Sequence, residues 1–551
     1  MTAIAPLRIG RFRSMWIASI FSNLGSFFYS VAASWFMLEL TGSATWVGLM
    51  QSSNTLPLLL LGLTAGAMAD LWNRAKVMLT SQILMGVSAT AMALLTVFDM
   101  MSAPLLLGLG LLIGIGVAFN LPAWQALVPN LVPPGMLASA VALNSAGFNV
   151  ARAVGPALAG VVVATAGASV AFGVNAASFL GVIVVVMWLG RRLDLPTPEQ
   201  SSIPSAIALG LRFARFTPTF RRLLALVAVF SVTSAVIQSV LPSRTQELGG
   251  SAGTYGLLLG AMGAGALIAA FGRNRLVTRL GRRATQVTIS VFGLTGISLG
   301  LIDSVAWAAF GLGVVGMCWV LTLVTLNTTT QTISPEWIRG RAMSLYTLAF
   351  TGIMPVGAII SGALADVLGA GTAMAVMSVG TVALGLATPR FHVPHLDDIE
   401  APRFTQDQGL TDHPAALEGG PVMVVSTWTI DEDDYGAFVE AMNQVRLARL
   451  STGAYRWRLY RNVGHPDRFT EVFVVESWQE HLAQHRRMDD ASRDLIRLAR
   501  DFDRTDGPRT LHLMAVDVEH PADWESLIAS HEEMHRHDGS IPLDSGQTAP
   551  T

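Results

Sequence analysis

Twelve long apolar runs dominate this chain and restrict it to folds that span a lipid bilayer. A helix needs about 20 apolar residues to cross the hydrocarbon core. Only 13% of the 551 residues are charged, whereas soluble domains have about 25%. The runs lie at approximately 14–38, 44–69, 77–98, 103–129, 137–165, 168–189, 222–246, 253–272, 285–302, 305–333, 341–365 and 369–389. The sequence therefore predicts an α-helical polytopic membrane protein with twelve transmembrane helices.

The charges between the runs predict the orientation of the chain. Alternate segments are rich in arginine, for example 8–13, 273–283 and 339–341, whereas the intervening ones hold acids such as Asp99 and Asp303. Cytoplasmic loops carry an excess of Lys and Arg. We therefore expect both termini to lie in the cytoplasm, with the chain in the inner (plasma) membrane.

Internal similarity predicts two six-helix pseudo-repeats. Gln125 and Pro129 are echoed by Gln331 and Pro335, 206 residues later. After residue 390 the composition becomes polar, so a soluble tail follows. The predicted domains are a first six-helix bundle at 1–195, an inter-bundle linker at 196–221, a second bundle at 222–390, a polar linker at 391–420, an α+β domain at 421–519 and a polar tail at 520–551.

The short polar segment that joins the second and third runs has a partial copy between the eighth and ninth runs. It resembles the loop signature of the major facilitator superfamily, which implies a gating role on the cytoplasmic side. The alternative is a pair of basic loops in another kind of polytopic protein. The matching residues are Gly66, Asp70 and Arg74 in the first copy and Arg279, Gly281, Arg282 and Arg283 in the second.

Arg152 lies near the middle of the fifth run, with Asn149 and Ser145 on the same helical face. A charge at this depth costs at least about 2.5 kcal/mol, and such residues usually face a cavity or a partner. Arg152 therefore either attracts an anionic or catecholate-like substrate group, tunes a proton-titrating acid, or anchors a buried network between helices. Gly155, Pro156 and Gly160 follow as a helix-packing motif, which resembles that of drug–proton antiporters.

Polar residues inside other runs are candidates for a central cavity, although each is equally suited to joining helices. No acid lies in the middle of a run, so the residue that would carry a proton is unassigned. No phosphate-binding loop is present in the sequence, so ATP-driven transport is not supported. The cavity candidates are Asn23, Tyr29, Gln51, Asn54, Asn120, Gln125, Gln238, Asn327 and Gln331.

The tail has the order βαββαβ, which is typical of a ferredoxin-like domain. With Trp457, Trp478 and His485 as landmarks, it resembles antibiotic-biosynthesis-monooxygenase-like domains, and the resemblance implies a homodimer. We expect no metal, cofactor or catalytic residue, although catalysis by the tail stays open. The predicted elements are strand 421–430, helix 431–451, strands 455–462 and 470–477, helix 478–504 and strand 510–518.

The combination of a twelve-helix facilitator and such a tail resembles the group of the enterobactin exporter and its transmembrane secretion effector relatives. The resemblance implies a secondary active transporter rather than an enzyme, a proton-coupled exporter of a small amphipathic molecule (siderophore, drug or secondary metabolite). Its expected partners are that molecule, protons and the bilayer, and no nucleic acid. Two alternatives stay open, an importer of the same fold and a transporter whose tail is a catalytic or sensor domain.

Overall fold

The computed structural model describes residues 4–71, 73–190, 203–335, 337–391, 421–505 and 507–515. It divides into two compact units, the first comprising Met1–Ile207 and Thr219–Ile399, the second Ala208–Pro218 and Glu400–Thr551. Nearly all of the predicted polar linker and the whole predicted tail beyond 520 lie outside the described residues.

The first of the two units is called the membrane unit here, and six long helices form its first half. Gly42, in the left-handed region at φ 62°, ends α1, as glycine does at many helix ends. Asn73 begins α3, where its Oδ1 accepts hydrogen bonds from the Ala75 and Lys76 amides at 3.0 and 3.2 Å. The helices are α1 Gly10–Thr41, α2 Ala44–Leu71, α3 Arg74–Val97, α4 Ala103–Leu127, α5 Leu137–Ala166 and α6 Ala168–Gly190.

After the short inter-bundle helix α7 (Ile203–Phe216), the second half contains two interrupted spans. Pro242 lies at the start of α10 and Pro355 at the start of α15, and proline removes a backbone donor and clashes with the preceding turn. A π-helical turn, Leu348–Gly352, precedes the second break. The helices are α8 Pro218–Ser234, α9 Val236–Ser239, α10 Leu241–Glu247, α11 Ala252–Leu280, α12 Ala284–Leu301, α13 Val305–Ile333, α14 Arg339–Thr347, α15 Met354–Leu368 and α16 Ala370–Ala387.

Eleven helical spans among the described residues are long and apolar enough to cross a membrane. The predicted second run corresponds to α2, which is 28 residues long but is not one of these eleven. It contains Gln51, Asn54 and Pro57. The predicted count of twelve is therefore not confirmed, whereas the multi-pass helical architecture is.

Aromatic rings fill the core of the second half. Trp319 of α13 lies 5.9 Å from Phe230 of α8, 5.9 Å from Phe292 of α12 and 5.5 Å from Phe350 of the π-helical turn, measured between ring centroids. Tilted and edge-to-face contacts at these distances are favourable for aromatic pairs. They join the interrupted spans to their continuous neighbours.

The described tail is a four-stranded antiparallel sheet with three helices. The strand order is β2-β3-β1-β4. The predicted single helix 478–504 is wrong, because Asp489 accepts a hydrogen bond from the Ser492 amide at 2.9 Å and begins a separate helix. The elements are β1 Val422–Thr429, α17 Tyr435–Thr452, β2 Arg456–Arg461, β3 Arg468–Val475, α18 Trp478–Arg487, α19 Asp490–Arg500 and β4 Arg509–Met514.

Candidate functional site

The first half (α1–α6) and the second half (α8–α16) meet along an inter-half interface that is formed mainly by two helix pairs. In the first pair, a Cβ added at Gly48 of α2 would lie 2.5 Å from the Ala358 carbonyl oxygen of α15. In the second, a Cβ added at Gly256 of α11 would lie 2.5 Å from the Cα of Gly160 of α5. Small residues permit this close approach of backbones.

The close glycine contacts across this interface gather towards one end of the helices. They extend from Ala44 to Leu59 on α2 and from Arg152 to Gly160 on α5. Because successive spans alternate in direction, these positions lie towards the α1–α2 turn. The arginine-rich segments lie at the opposite ends of the helices, so the halves are closed together on the side away from them.

Arg152 lies near the middle of α5 and contacts α11 of the second half through its backbone. Its carbonyl oxygen would be 2.9 Å from a Cβ added at Gly263 of α11, and its side chain is half-buried. Among the residues that the structure describes, no hydrogen bond or ion pair joins the guanidinium to another side chain.

Four of the predicted cavity residues take part in contacts that join α2 to neighbouring helices near the interface. The Tyr29 hydroxyl of α1 donates to Asn54 Oδ1 at 3.1 Å. Gln51 Nε2 donates to Ser34 Oγ and, across the halves, to the Gln238 carbonyl oxygen, both at 3.3 Å. That carbonyl lies in α9, within the interrupted seventh span, so the break exposes a backbone acceptor to the other half.

The remaining cavity candidates form local pairs rather than one network in the described contacts. Asn120 accepts from Gln82, a residue that the sequence analysis missed, at 3.1 Å. Gln331 donates to Asn327 on the same helix at 2.7 Å, and Asn149 to the Ser145 carbonyl at 2.9 Å. Asn23 is half-buried on α1, and Gln125 is exposed near the end of α4.

The predicted gating residues lie at the arginine-rich ends of the helices. Gly66 and Asp70 belong to the last turns of α2, and the Asp70 side chain lies outside the described residues. Arg74 is the first residue of α3. In the second copy, Gly281 adopts φ 51°, which favours glycine, and the side chains of Arg279, Arg282 and Arg283 are exposed.

The helix-packing motif contacts two different helices. A Cβ added at Gly155 would lie 2.8 Å from the Phe27 Cβ of α1. The Pro156 carbonyl oxygen and Gly160 both lie against Gly256 of α11. The motif therefore lies at the contact between α5 and the second half.

Sequence reasoning missed an ionic cluster around the buried Arg244 at the far end of the second half. Arg244 donates to Asp303 at 2.7 Å, to Glu247 at 3.1 Å and to the Leu299 carbonyl at 3.1 Å. In the sequence this cluster is visible only as a single arginine in loops that otherwise hold acids. Asp366 makes contacts across the inter-half interface that are described below.

In the tail, the landmark residues lie between the sheet and the helices. Trp457 Nε1 donates to the buried Glu471 at 2.9 Å, and Trp478 is the buried first residue of α18. The His481 ring lies 4.8 Å from His485 and 4.9 Å from His512. Burial, followed by the charges of His485, His512 and Arg449, lowers the pKa of His481 to about 3, so this imidazole is neutral at physiological pH.

A family model described as "Transmembrane secretion effector" matches residues 1–521. This chain belongs to the transmembrane secretion effector family. The family is one of major facilitator superfamily transporters, so the chain is a multi-pass membrane transporter. The match extends through the described tail, which the transmembrane secretion effector family therefore includes.

Individual relatives and solved structures agree with the transmembrane secretion effector assignment. The multidrug efflux pump Tap of Mycolicibacterium fortuitum is 26% identical over 70% of this chain and 95% of its own length. The enterobactin exporter EntS of Citrobacter koseri is 26% identical over 63% of this chain and 80% of its own length. The inward-facing, occupied structure of a bacterial homologue of the human lysosomal transporter Spinster matches 72% of this chain and 99% of its own chain, with a TM-score of 0.56 and 16% identity. This likeness shows the fold alone.

Proposed function

We propose that this chain is a proton-coupled exporter of small amphipathic molecules, of the siderophore, drug or secondary-metabolite class, with Arg152 at its substrate site. The observation on which this depends is the half-buried Arg152 guanidinium, which has no described partner at the edge of the inter-half interface. Relatives named as a multidrug efflux pump and an enterobactin exporter support export. A cation in a low-dielectric cavity attracts an anionic or catecholate group strongly.

We place the chain in the inner membrane of the cell. In the proposed orientation both termini and the arginine-rich loops lie in the cytoplasm. We assign α2 as the twelfth span, because its 28 residues are long enough to cross a bilayer. The inter-half interface is then on the outer side, and the cavity opens towards the cytoplasm. This is the state in which an exporter loads its substrate.

Transport in this scheme proceeds by rocking of the two halves around the site. A substrate enters from the cytoplasm and its anionic group pairs with Arg152, while amides such as Asn149 and the Gln51–Gln238 contact offer hydrogen bonds nearby. Closure of the cytoplasmic side would bring the predicted gating residues together, and the outer interface would part. Proton coupling supplies the driving force, and its carrier is unassigned.

For the tail we propose a ferredoxin-like domain that pairs with a second copy. The strand order and the alternation of helices and strands support the fold. One face of the sheet is covered by helices, whereas Met423, Tyr460, Leu511 and Leu513 on the other face are 40%, 54%, 61% and 49% exposed. An exposed apolar sheet face of this kind is typical of an interaction surface, and a second copy presents the same face.

The tail unit also includes the inter-bundle helix, which supports an interaction role rather than catalysis. Arg212 of α7 donates to the Gly453 carbonyl at 2.7 Å and lies 3.6 Å from Glu476. Phe216 packs against the apolar cluster around Phe473 and Trp478.

The test of the proposed site is uptake into inverted membrane vesicles of two probes, a catecholate siderophore and the cationic dye ethidium. We expect Arg152→Ala to abolish catecholate uptake and to spare the dye, and Arg152→Lys to restore part of the catecholate uptake. Arg222→Ala, which removes an exposed arginine at the start of α8, is the matched control. Unchanged catecholate uptake by a correctly inserted Arg152→Ala would refute the assignment.

A further inference from the structure

Asp366 lies in the last turn of α15, in the second half, and binds the start of α2, in the first half. Its Oδ1 accepts a hydrogen bond from the Ala44 amide at 2.6 Å. Its Oδ2 accepts from the Ser43 hydroxyl at 2.6 Å, from the Thr45 hydroxyl at 2.5 Å and from the Thr45 amide at 3.1 Å. One carboxylate therefore receives four hydrogen bonds across the inter-half interface.

These contacts make Asp366 the N-terminal cap of α2. The first amides of a helix have no partner within the helix, and a side chain just before it normally accepts from them. Here the acceptor comes from a residue more than 320 positions later in the chain. Its negative charge also interacts favourably with the positive end of the helix dipole.

The corresponding helix of the second half has no need of such a distant cap. In α11, Ser251 and Thr254 form a capping box, in which Thr254 Oγ1 accepts from the Ser251 amide at 3.2 Å. The first half has its own residue for this role, because Ser43 Oγ lies 3.4 Å from the Trp46 amide. Ser43 is therefore positioned to cap α2 when Asp366 withdraws.

We propose that Asp366 is a gating residue that holds the outer side closed by capping α2 from the opposite half. In the outward-open state Ser43 replaces it as the cap, so α2 stays capped in both states. The inference rests on the proposed function for the assignment of the outer side. Gly362 supports it, because a Cβ added there would lie 2.5 Å from the Ala44 carbonyl oxygen. The end of α15 therefore packs closely against the start of α2, and this contact must break when the two halves part.

Thiol labelling tests this gate directly. Cys318 is the single cysteine of the chain, so Cys318→Ser provides a background without thiols. Ser52→Cys then introduces a near-isosteric reporter, since Ser52 is 3% exposed and donates to the Pro355 carbonyl across the interface at 3.3 Å. A membrane-impermeant maleimide is applied to right-side-out and to inverted vesicles. We expect Asp366→Asn, which removes the charge and leaves one accepting oxygen in place of two, to raise the labelling rate from the outside about tenfold.

Glu247→Gln is the matched control. Glu247 also accepts from two helix-start amides, those of Ala370 at 2.6 Å and Gly371 at 3.0 Å, but both lie in the same half. Its substitution should leave the labelling rate unchanged. Where Asp366→Asn does not fold, Thr45→Val removes one donor to the carboxylate and should give a smaller increase.

Equal labelling rates for Asp366→Asn, Thr45→Val and the parent from both sides would overturn the gate and leave the proposed function intact. An increase seen only in inverted vesicles would instead contradict the proposed orientation and retain the gate. An increase of the same size with Glu247→Gln would also overturn it, because general loosening of helix ends would then explain the result.

Discussion

Gly256→Ala should force the two halves apart at the contact between α5 and α11. The added Cβ would lie 2.5 Å from Gly160 Cα, 2.7 Å from the Pro156 carbonyl oxygen and 2.9 Å from the Gly160 amide nitrogen. All three are backbone atoms, so no side-chain rotation relieves the overlap. The substitution therefore acts on the distance between helices rather than on a local rotamer.

The magnitude follows from two opposing effects. Overpacking costs about 1–3 kcal/mol in the closed state, whereas replacing glycine inside a helix gains about 0.5–1 kcal/mol in every folded state. Only the first effect distinguishes the closed from the open outer side. The outward-open population should therefore rise by a factor of about 5 or more.

The assay is the labelling rate of the Ser52→Cys reporter in the Cys318→Ser background. Gly173→Ala is the control, because a Cβ added at Gly173 meets nothing within 4 Å. It should gain helix stability without any change in labelling. A labelling rate of Gly256→Ala equal to that of the control, in correctly inserted protein, would refute the inference that the halves touch at Gly160 and Gly256.

The tail yields two further predictions. Since the folded-state pKa of His481 is lowered to about 3, the unfolded chain binds one more proton between pH 3 and about 6.5. The stability of the tail should therefore be fully present above pH 6.5 and fall by about 1.4 kcal/mol per pH unit below it. Tryptophan fluorescence of the full chain during acid titration should show this, and His481→Phe should flatten the slope; an unchanged slope contradicts the assignment. Leu511→Asp should abolish tail-mediated dimers in light scattering, whereas Val463→Asp, at a position that is 97% exposed in the β2–β3 turn, should not; dimers that persist in both would exclude this face.

The sequence predicts those features that depend on composition over a long window. Runs of about 20 apolar residues locate most of the membrane helices, because the bilayer thickness fixes their length. It does not predict where a span breaks. Pro242 and Pro355 are visible in the sequence, but whether a proline bends, ends or merely begins a helix depends on which neighbours accept the freed carbonyls.

Contacts between distant residues explain what the sequence could not predict. Asp366 reads as an ordinary loop acid, and only the fold brings it to the start of α2. Arg152 was found because a charge inside an apolar run is conspicuous, yet its lack of a described partner is a property of the structure. The break between α18 and α19 escaped notice because Asp489 is one of many polar residues in an otherwise helical segment.

The central claim, that the chain exports a small molecule in exchange for protons, is tested most directly by substrate-dependent proton movement. Inverted vesicles are acidified inside by respiration, and a pH-sensitive dye reports the gradient as a catecholate siderophore, ethidium or buffer is added. We expect each substrate to dissipate the gradient with the parent chain, and the catecholate to fail to do so with Arg152→Ala. Proton coupling would be contradicted if the vesicles accumulate the catecholate while no substrate changes the gradient. Export itself would be contradicted if the vesicles also fail to accumulate the catecholate.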